Sequence, residues 1–278
     1  MPNIKKDGSF TSRHRGAYTQ NHPAPFELSR GKIEVLIKCK ACFWLEKQAG
    51  VKPIDMPGFN LNINTDTLLK RDFDRWRGKG PHPLMVSYGL SHLRPYAHED
   101  LVKWATSTQF GVNSSYFNTV HEETNILFGG GLDDVWENVA TGELHIVDYK
   151  STAQLSKEPK PLDRSFLEDF WKTAYKRQME MYQWIMRRKG HRVSDLGYFV
   201  YVDGQHIGLN GMIDPDPGSA TMKFNTSIIE YKGNNSWVED ALRDAKQILH
   251  TQVCPEHSPR CDVGRFLKEA AQAVVSIN

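Results

Sequence analysis

The run GGGLDDVWENVATGELHIVDYK, residues 129–150, decides how the chain is read. Two β-rich stretches, 124–137 (TNILFGGGLDDVWE) and 143–149 (ELHIVDY), flank NVATG, a turn-forming segment, so the two are expected to pair as a hairpin. Side chains alternate across a strand, which puts Asp148 and Lys150 on one face and Val147 and Tyr149 on the other. An acid and a base at the end of an otherwise apolar strand are costly to bury without a purpose. In the preceding strand, glycines that permit a kink or the close approach of a backbone or ligand lead into Leu132-Asp133-Asp134. With the hairpin in register, Asp133 or Asp134 comes within reach of Asp148. Two carboxylates that close repel, and a divalent cation between them keeps both ionised. Such an ion, holding a phosphate oxygen and a water, lowers the pKa of that water. Lys150 is then placed to orient the attacking water or to neutralise developing negative charge. The competing interpretation is a surface hairpin carrying an ordinary Asp–Lys pair, and the DxK triplet alone does not separate the two.

Outward from this hairpin, the N-terminal residues 1–24 are rich in Lys, Arg, Ser, Asn and Gly and are expected to form a mobile tail. From Ser29 to Gly50 the apolar positions Ile33, Leu36, Ile37, Cys42, Phe43 and Leu45 recur at helical spacing. Further helices are expected over Thr65–Arg77 and His98–Thr108. Beyond the hairpin come a polar, Pro-containing loop (151–165), a long amphipathic helix from Ser165 to Lys189 ended by Gly190, and strands at 197–204 and 222–233. Ser236 and Glu239 have capping-box spacing and open a helix running to His250. Helices, hairpin, helix, two strands and helix predict an α/β fold, a central mixed β-sheet flanked by helices with an N-terminal helical extension. Residues 25–278 are expected to make one domain.

Composition agrees with a globular chain: 278 residues, 39% hydrophobic and 24% charged, enough for a sizeable core. No apolar stretch approaches the roughly 20 residues of a membrane span. The N-terminus lacks the apolar segment of a secretory signal, from which a cytoplasmic location is expected. A net charge of +2 says little about nucleic acid. Two stretches, 70–80 (KRDFDRWRGKG) and 176–190 (KRQMEMYQWIMRRKG), mix cations with aromatics, as phosphate contact and base stacking require; solvated helix faces with buried aromatics read the same way. Cys39 and Cys42 near one end, and Cys254 and Cys261 near the other, suit metal ligation or plain burial better than disulfides in a chain with no export signal.

GGGLDD (129–134), VDYK (147–150) and QMEMY (178–182), in that order and on those element types, resemble the PD-(D/E)XK nuclease superfamily, in its RecB-like branch, which includes CRISPR-adaptation nucleases. Gly130, Leu132 and Asp133 match the branch's first motif, Asp148 and Lys150 its acid-x-lysine motif, and Gln178 and Tyr182 its helical glutamine–tyrosine pair. The resemblance implies a restriction-endonuclease-like core and a metal-dependent deoxyribonuclease, an exonuclease of DNA repair, recombination or defence. It implies that Asp133, Asp148 and the Tyr149 carbonyl hold Mg²⁺ or Mn²⁺, and that Lys150 is the catalytic lysine. Gln178 and Tyr182, one helical turn apart, would face the DNA backbone or the edge of the active site; apart from the family, Tyr182 reads as a core aromatic. Asp133 is favoured over its rival Asp134 because the aspartate of the motif directly follows the bulky apolar residue. A histidine ligand from an upstream helix is common in the branch, and His92, His98 and His121 are candidates, with His98 the foremost. DNA, as a single strand or as duplex ends, is the implied partner, with a helicase or an integrase as a candidate companion. The alternative is an inactive nucleic-acid-binding module on the same fold.

Relatives in the branch frequently carry a four-cysteine iron–sulfur site joining an N-terminal helix to the C-terminal end. KCKACFWLEK (38–47) is similar to the N-terminal piece, with Cys39 the better ligand. The distal piece departs from the pattern: it offers Cys254 and Cys261 with His257 between them, and Gly264 stands where a further cysteine is expected. Cys39, Cys42, Cys254 and Cys261 are therefore expected to hold an iron–sulfur cluster or Zn²⁺, or to be buried remnants of such a site.

Overall fold

A computed structural model describes residues 16–52, 58–106, 115–155, 158, 162–216 and 218–277. The chain is an α/β protein with mixed sheets flanked by helices, and it divides into two compact units, each assembled from separated segments. Of the expected tail, residues 1–15 lie outside the described residues.

The larger unit comprises 57–105 and 132–235. Its sheet runs β2 (Leu93–Pro95), β5 (Asp134–Asn138), β6 (Leu144–Thr152), β7 (Leu196–Gln205), β8 (Lys223–Lys232) in spatial order. β5 and β6 form the antiparallel hairpin, with Asp134 opposite Val147. β6 and β7 are parallel, and α6 (Thr173–Arg188) supplies the crossover that parallel neighbours require. One face carries Trp136, Val147, Tyr149, Tyr198, Val200 and Ile228, packed against Phe73 of α3 (Asn60–Asp74) and Met85 of α4 (Pro83–Ser87). Phe73 stacks on Trp136 with ring centroids 5.6 Å apart. The opposite face meets α6. Gly197 of β7 is a glycine for this reason, since a Cβ there would fall 2.4 Å from the Met179 sulfur and 3.0 Å from the Ile146 carbonyl oxygen.

The other unit comprises residues up to 56, 106–131 and 236–278. Its sheet places β4 (Ile126–Gly129) between β1 (Phe26–Ser29), which is parallel to it, and the antiparallel β3 (Asn118–His121). α1 (Arg30–Lys38) and α2 (Lys40–Gln48) pack against α7 (Val238–His250), and α8 (Asp262–Ile277) closes the chain.

Several expectations are revised in detail. The expected strand over 124–137 is two strands, β4 and β5, in different sheets; the glycines at 129–131 make the break. The helix expected from Ser29 to Gly50 is interrupted at Cys39, whose backbone is extended (φ −161°, ψ 108°). The helix expected over His98–Thr108 is the single turn α5 (Leu101–Trp104), and residues 107–114 lie outside the described set. Short 3-10 turns, Arg164–Glu168 and Phe170–Lys172, precede α6, so the long helix starts at Thr173 rather than Ser165. The N-cap of α7 is Trp237, one residue past the expected Ser236, and its own side chain makes no capping bond. No described helix is long and apolar enough to cross a membrane.

Candidate active site and a cysteine–histidine cluster

Alternation along β6 sends Tyr149 into the aromatic core and turns Asp148 and Lys150 toward α6. At the end of the hairpin Asp133 faces the same way. Its Oδ2 accepts from the Tyr149 backbone N–H at 3.1 Å, and its carboxylate lies near enough to that of Asp148 for the charge of each to act on the other. Asp148 is 1% exposed. Its Oδ1 accepts from Gln178 Nε2 on α6 at 2.7 Å. Its Oδ2 faces the Lys150 ammonium but receives no hydrogen bond of acceptable direction. Lys150 Nζ also donates to the Tyr149 carbonyl at 3.3 Å and sits 5.0 Å from the centre of the Tyr175 ring. The structure thus brings Asp133, Asp148, Lys150, the Tyr149 carbonyl and Gln178 to one place.

Asp134 is excluded from that place by the same alternation. Fully buried on the α3 face, it pairs with Arg77 at 2.9 Å and accepts from the Tyr149 hydroxyl at 2.6 Å. Tyr182 is 2% exposed, a core side chain. His98 stacks on Trp104, with ring centroids 4.4 Å apart, and its Nδ1 accepts from the Asp100 N–H; its ring neighbours are Tyr96, Trp104 and His191 rather than the acid pair. The two basic stretches are largely engaged internally. Arg77 binds Asp134 and Asp74, Lys176 binds Glu168, and Arg187 binds Asp195.

Two functional candidates escape the sequence. Asp66 and Lys70, four apart on α3 and paired at 2.9 Å, reach the acid pair: Lys70 Nζ lies 3.1 Å from Asp133 Oδ1, and Asp66 feels the charge of Asp133. Their i,i+4 spacing is visible in the sequence but common on any exposed helix.

Burial opposes ionisation at both carboxylates. At Asp133 the Lys150 and Lys70 ammoniums outweigh it and hold the group below the usual carboxylate range. At Asp148 burial dominates and the Asp133 charge adds to it, so despite Lys150 the group is pushed up to about 7. Asp66 is also raised, by burial and then by Asp133. Three carboxylates (Asp66, Asp133, Asp148) face two ammoniums (Lys70, Lys150), which leaves one negative charge over when all are ionised. Side-chain exposures of 20% for Asp133 and 16% for Lys150 keep the site open to solvent. An excess negative charge and converging oxygen donors together fit a hard divalent cation.

A second constellation lies in the other unit. The ligand atoms of Cys39, Cys42, His257 and Cys261 all lie within 4.8 Å of one another, a group that could hold a metal ion. His257 Nδ1 stands 3.4 Å from Cys39 Sγ, 3.7 Å from Cys42 Sγ and 3.5 Å from Cys261 Sγ, and the Cys42 and Cys261 sulfurs are 3.4 Å apart. Of the four expected ligands, Cys254 is the one left out of this group: its thiol contacts the Pro255 carbonyl at 3.4 Å, and His257 takes the fourth place. The break at Cys39 is what turns the start of α2 so that Cys39 and Cys42 address one point. Burial pushes both thiols up; at Cys39 the Ser258 and Cys42 backbone N–H groups outweigh it and bring the thiol down to about 6, while at Cys42 burial and the neighbouring Cys261 and Cys39 sulfurs raise it.

Compared with models of known families, with curated proteins and with solved structures, the chain matches none.

Proposed function

We propose that the chain is a divalent-metal-dependent nuclease of the PD-(D/E)XK type, with β5, β6, β7 and α6 as its restriction-endonuclease-like core. One observation carries the proposal: two carboxylates, Asp148 on β6 and Asp133 just ahead of β5, meet beside the ammoniums of Lys150 and Lys70. Asp133, Asp148 and the Tyr149 carbonyl would hold Mg²⁺ or Mn²⁺, with Asp66 adding negative charge nearby. A divalent ion bound there supplies Lewis acidity toward a phosphate oxygen and lowers the pKa of a coordinated water.

The chain's own groups have separable tasks. Gln178 fixes the orientation of the Asp148 carboxylate through Oδ1 and leaves Oδ2 directed into the site. The ammoniums of Lys70 and Lys150 keep Asp133 anionic. Lys150, held by Asp148, the Tyr149 carbonyl and the Tyr175 ring, carries a positive charge to where a phosphodiester gains negative charge as it is attacked. Preorganised charge of this kind acts without reorganising during the reaction. DNA is the substrate that the resemblance suggests, in repair, recombination or defence, with a helicase or an integrase as a candidate companion.

Cleavage of labelled single-stranded and duplex DNA with Mn²⁺, with Mg²⁺ and with chelator tests the proposal. Metal-dependent cleavage that Lys150→Ala removes while DNA binding persists supports it. DNA binding without cleavage under any divalent ion overturns it in favour of an inactive binding module of the same fold.

A further inference from the structure

We propose that Cys39, Cys42, His257 and Cys261 bind a single tetrahedral zinc ion that fastens the α1–α2 junction to the segment entering α8. The inference is independent of the nuclease proposal.

The spacing of the ligand atoms is that of one ion. Zinc–sulfur bonds of about 2.3 Å and zinc–nitrogen bonds of about 2.0 Å at the tetrahedral angle separate ligand atoms by about 3.5–3.8 Å. The three nitrogen–sulfur separations, 3.4, 3.5 and 3.7 Å, scatter about the nitrogen–sulfur edge of about 3.5 Å, and the Cys42–Cys261 sulfur separation of 3.4 Å lies inside the sulfur–sulfur edge of about 3.8 Å, so a bound ion would spread that pair slightly. A multi-iron cluster interposes inorganic sulfide between its ligands and spreads them further than the 4.8 Å that contains all four here.

The surroundings are built for thiolates. The Ser258 backbone N–H donates to Cys39 Sγ at 3.5 Å, and the Gly264 N–H donates to Cys261 Sγ at 3.3 Å, the outer hydrogen bonds that orient metal-bound sulfur. Gly264 leaves the room that a histidine ligand needs. A Cβ at this position would fall 2.5 Å from both Cβ and Cγ of His257, so no side chain fits there while the imidazole points at the three sulfurs. Three soft sulfurs and one imidazole select zinc over the hard cations that suit an oxygen-lined site. Cys254, whose thiol contacts the Pro255 carbonyl, stands outside the ligand set.

The test uses the full chain purified from cells grown with both iron and zinc. Elemental analysis is expected to find one zinc per chain and no inorganic sulfide. Exchange for Co²⁺ should give the intense visible bands of a tetrahedral thiolate-rich site. Cys254→Ser should keep the metal, Cys261→Ser should lose it, and His257→Cys should keep it while shifting the cobalt spectrum toward an all-sulfur site. Chelation should lower the melting temperature by more than about 5 °C. Because the Cys261 variant could fail to fold, the cobalt spectrum of chelated and reloaded wild-type protein decides independently. Iron with stoichiometric sulfide, a Cys42–Cys261 disulfide in place of bound metal, or loss of metal in Cys254→Ser would each overturn the proposal.

Discussion

At the scale of single residues, the acid pair defines what can be measured. Asp148→Asn is nearly isosteric and can retain a bond to Gln178, so the fold should survive while metal-dependent cleavage falls to background; unaltered turnover in that variant would remove Asp148 from the site. Gln178→Ala leaves the Asp148 carboxylate unoriented, and loss of such an outer partner typically lowers metal affinity or activity about 10–100-fold. A Gln178→Ala enzyme with wild-type metal affinity and rate would show that the bond is incidental. The pH dependence has a definite sign. Asp148 is pushed up to about 7 by burial and by Asp133, so the metal-free protein gives up this contribution to stability as pH rises from the ordinary carboxylate range through about 7. A divalent ion binds the ionised form, so its affinity should weaken as pH falls below about 7, with a proton released on binding. Calorimetry in buffers of different ionisation enthalpy reads that proton, and binding without proton release would contradict the assignment.

At the scale of elements, side-chain alternation along β5 and β6 sorts acids into two environments. Asp134 goes to the α3 face, where Arg77 and the Tyr149 hydroxyl satisfy it, and Asp133 goes to the face of Asp148. A shift of one residue in the hairpin register would exchange them. Phe73 fastens α3, and with it Asp66 and Lys70, to Trp136 and Tyr149; Phe73→Ala should cost about 3–5 kcal/mol in urea unfolding. A loss below about 1 kcal/mol would mean that the aromatic stack does not hold the helix. In the smaller sheet, Gly129 lets β4 lie close to the chain entering β3. A Cβ there would fall 2.6 Å from Asn118 Cβ and 2.7 Å from the Phe117 carbonyl oxygen. Gly129→Ala should therefore destabilise by about 1–3 kcal/mol, and an unchanged unfolding midpoint would argue against the close approach.

At the scale of the whole molecule, neither unit is continuous in sequence. The chain passes between them near residues 56, 105, 131 and 235. The smaller unit draws β1, α1 and α2 from the N-terminal segment and α7 and α8 from the C-terminal one. Removal of residues 1–56 takes away the parallel neighbour of β4 together with Cys39 and Cys42. Amides of β3 and β4 should then lose their protection from hydrogen exchange; retained protection would show that these strands hold without β1.

Local pattern made much legible in advance: the β5–β6 pairing, the long helix after it, the two final strands, and the acid-x-lysine run whose alternation points Asp148 and Lys150 the same way. Those features depend on neighbours a few residues apart, where the periods of strand and helix act. The division into two units was not legible, because its boundary at 131–132 lies inside one apolar, β-rich run with no linker composition. Asp66 and Lys70 joined the acid pair only once α3 packed on the sheet. His257 took the place expected of Cys254 only once the C-terminal segment met the α1–α2 junction, with Gly264 clearing room for the ring. Contacts between residues tens to hundreds of positions apart leave no periodic trace along the chain, so it was folding that added Asp66 and Lys70 to the acid pair and put His257, not Cys254, beside the three sulfurs.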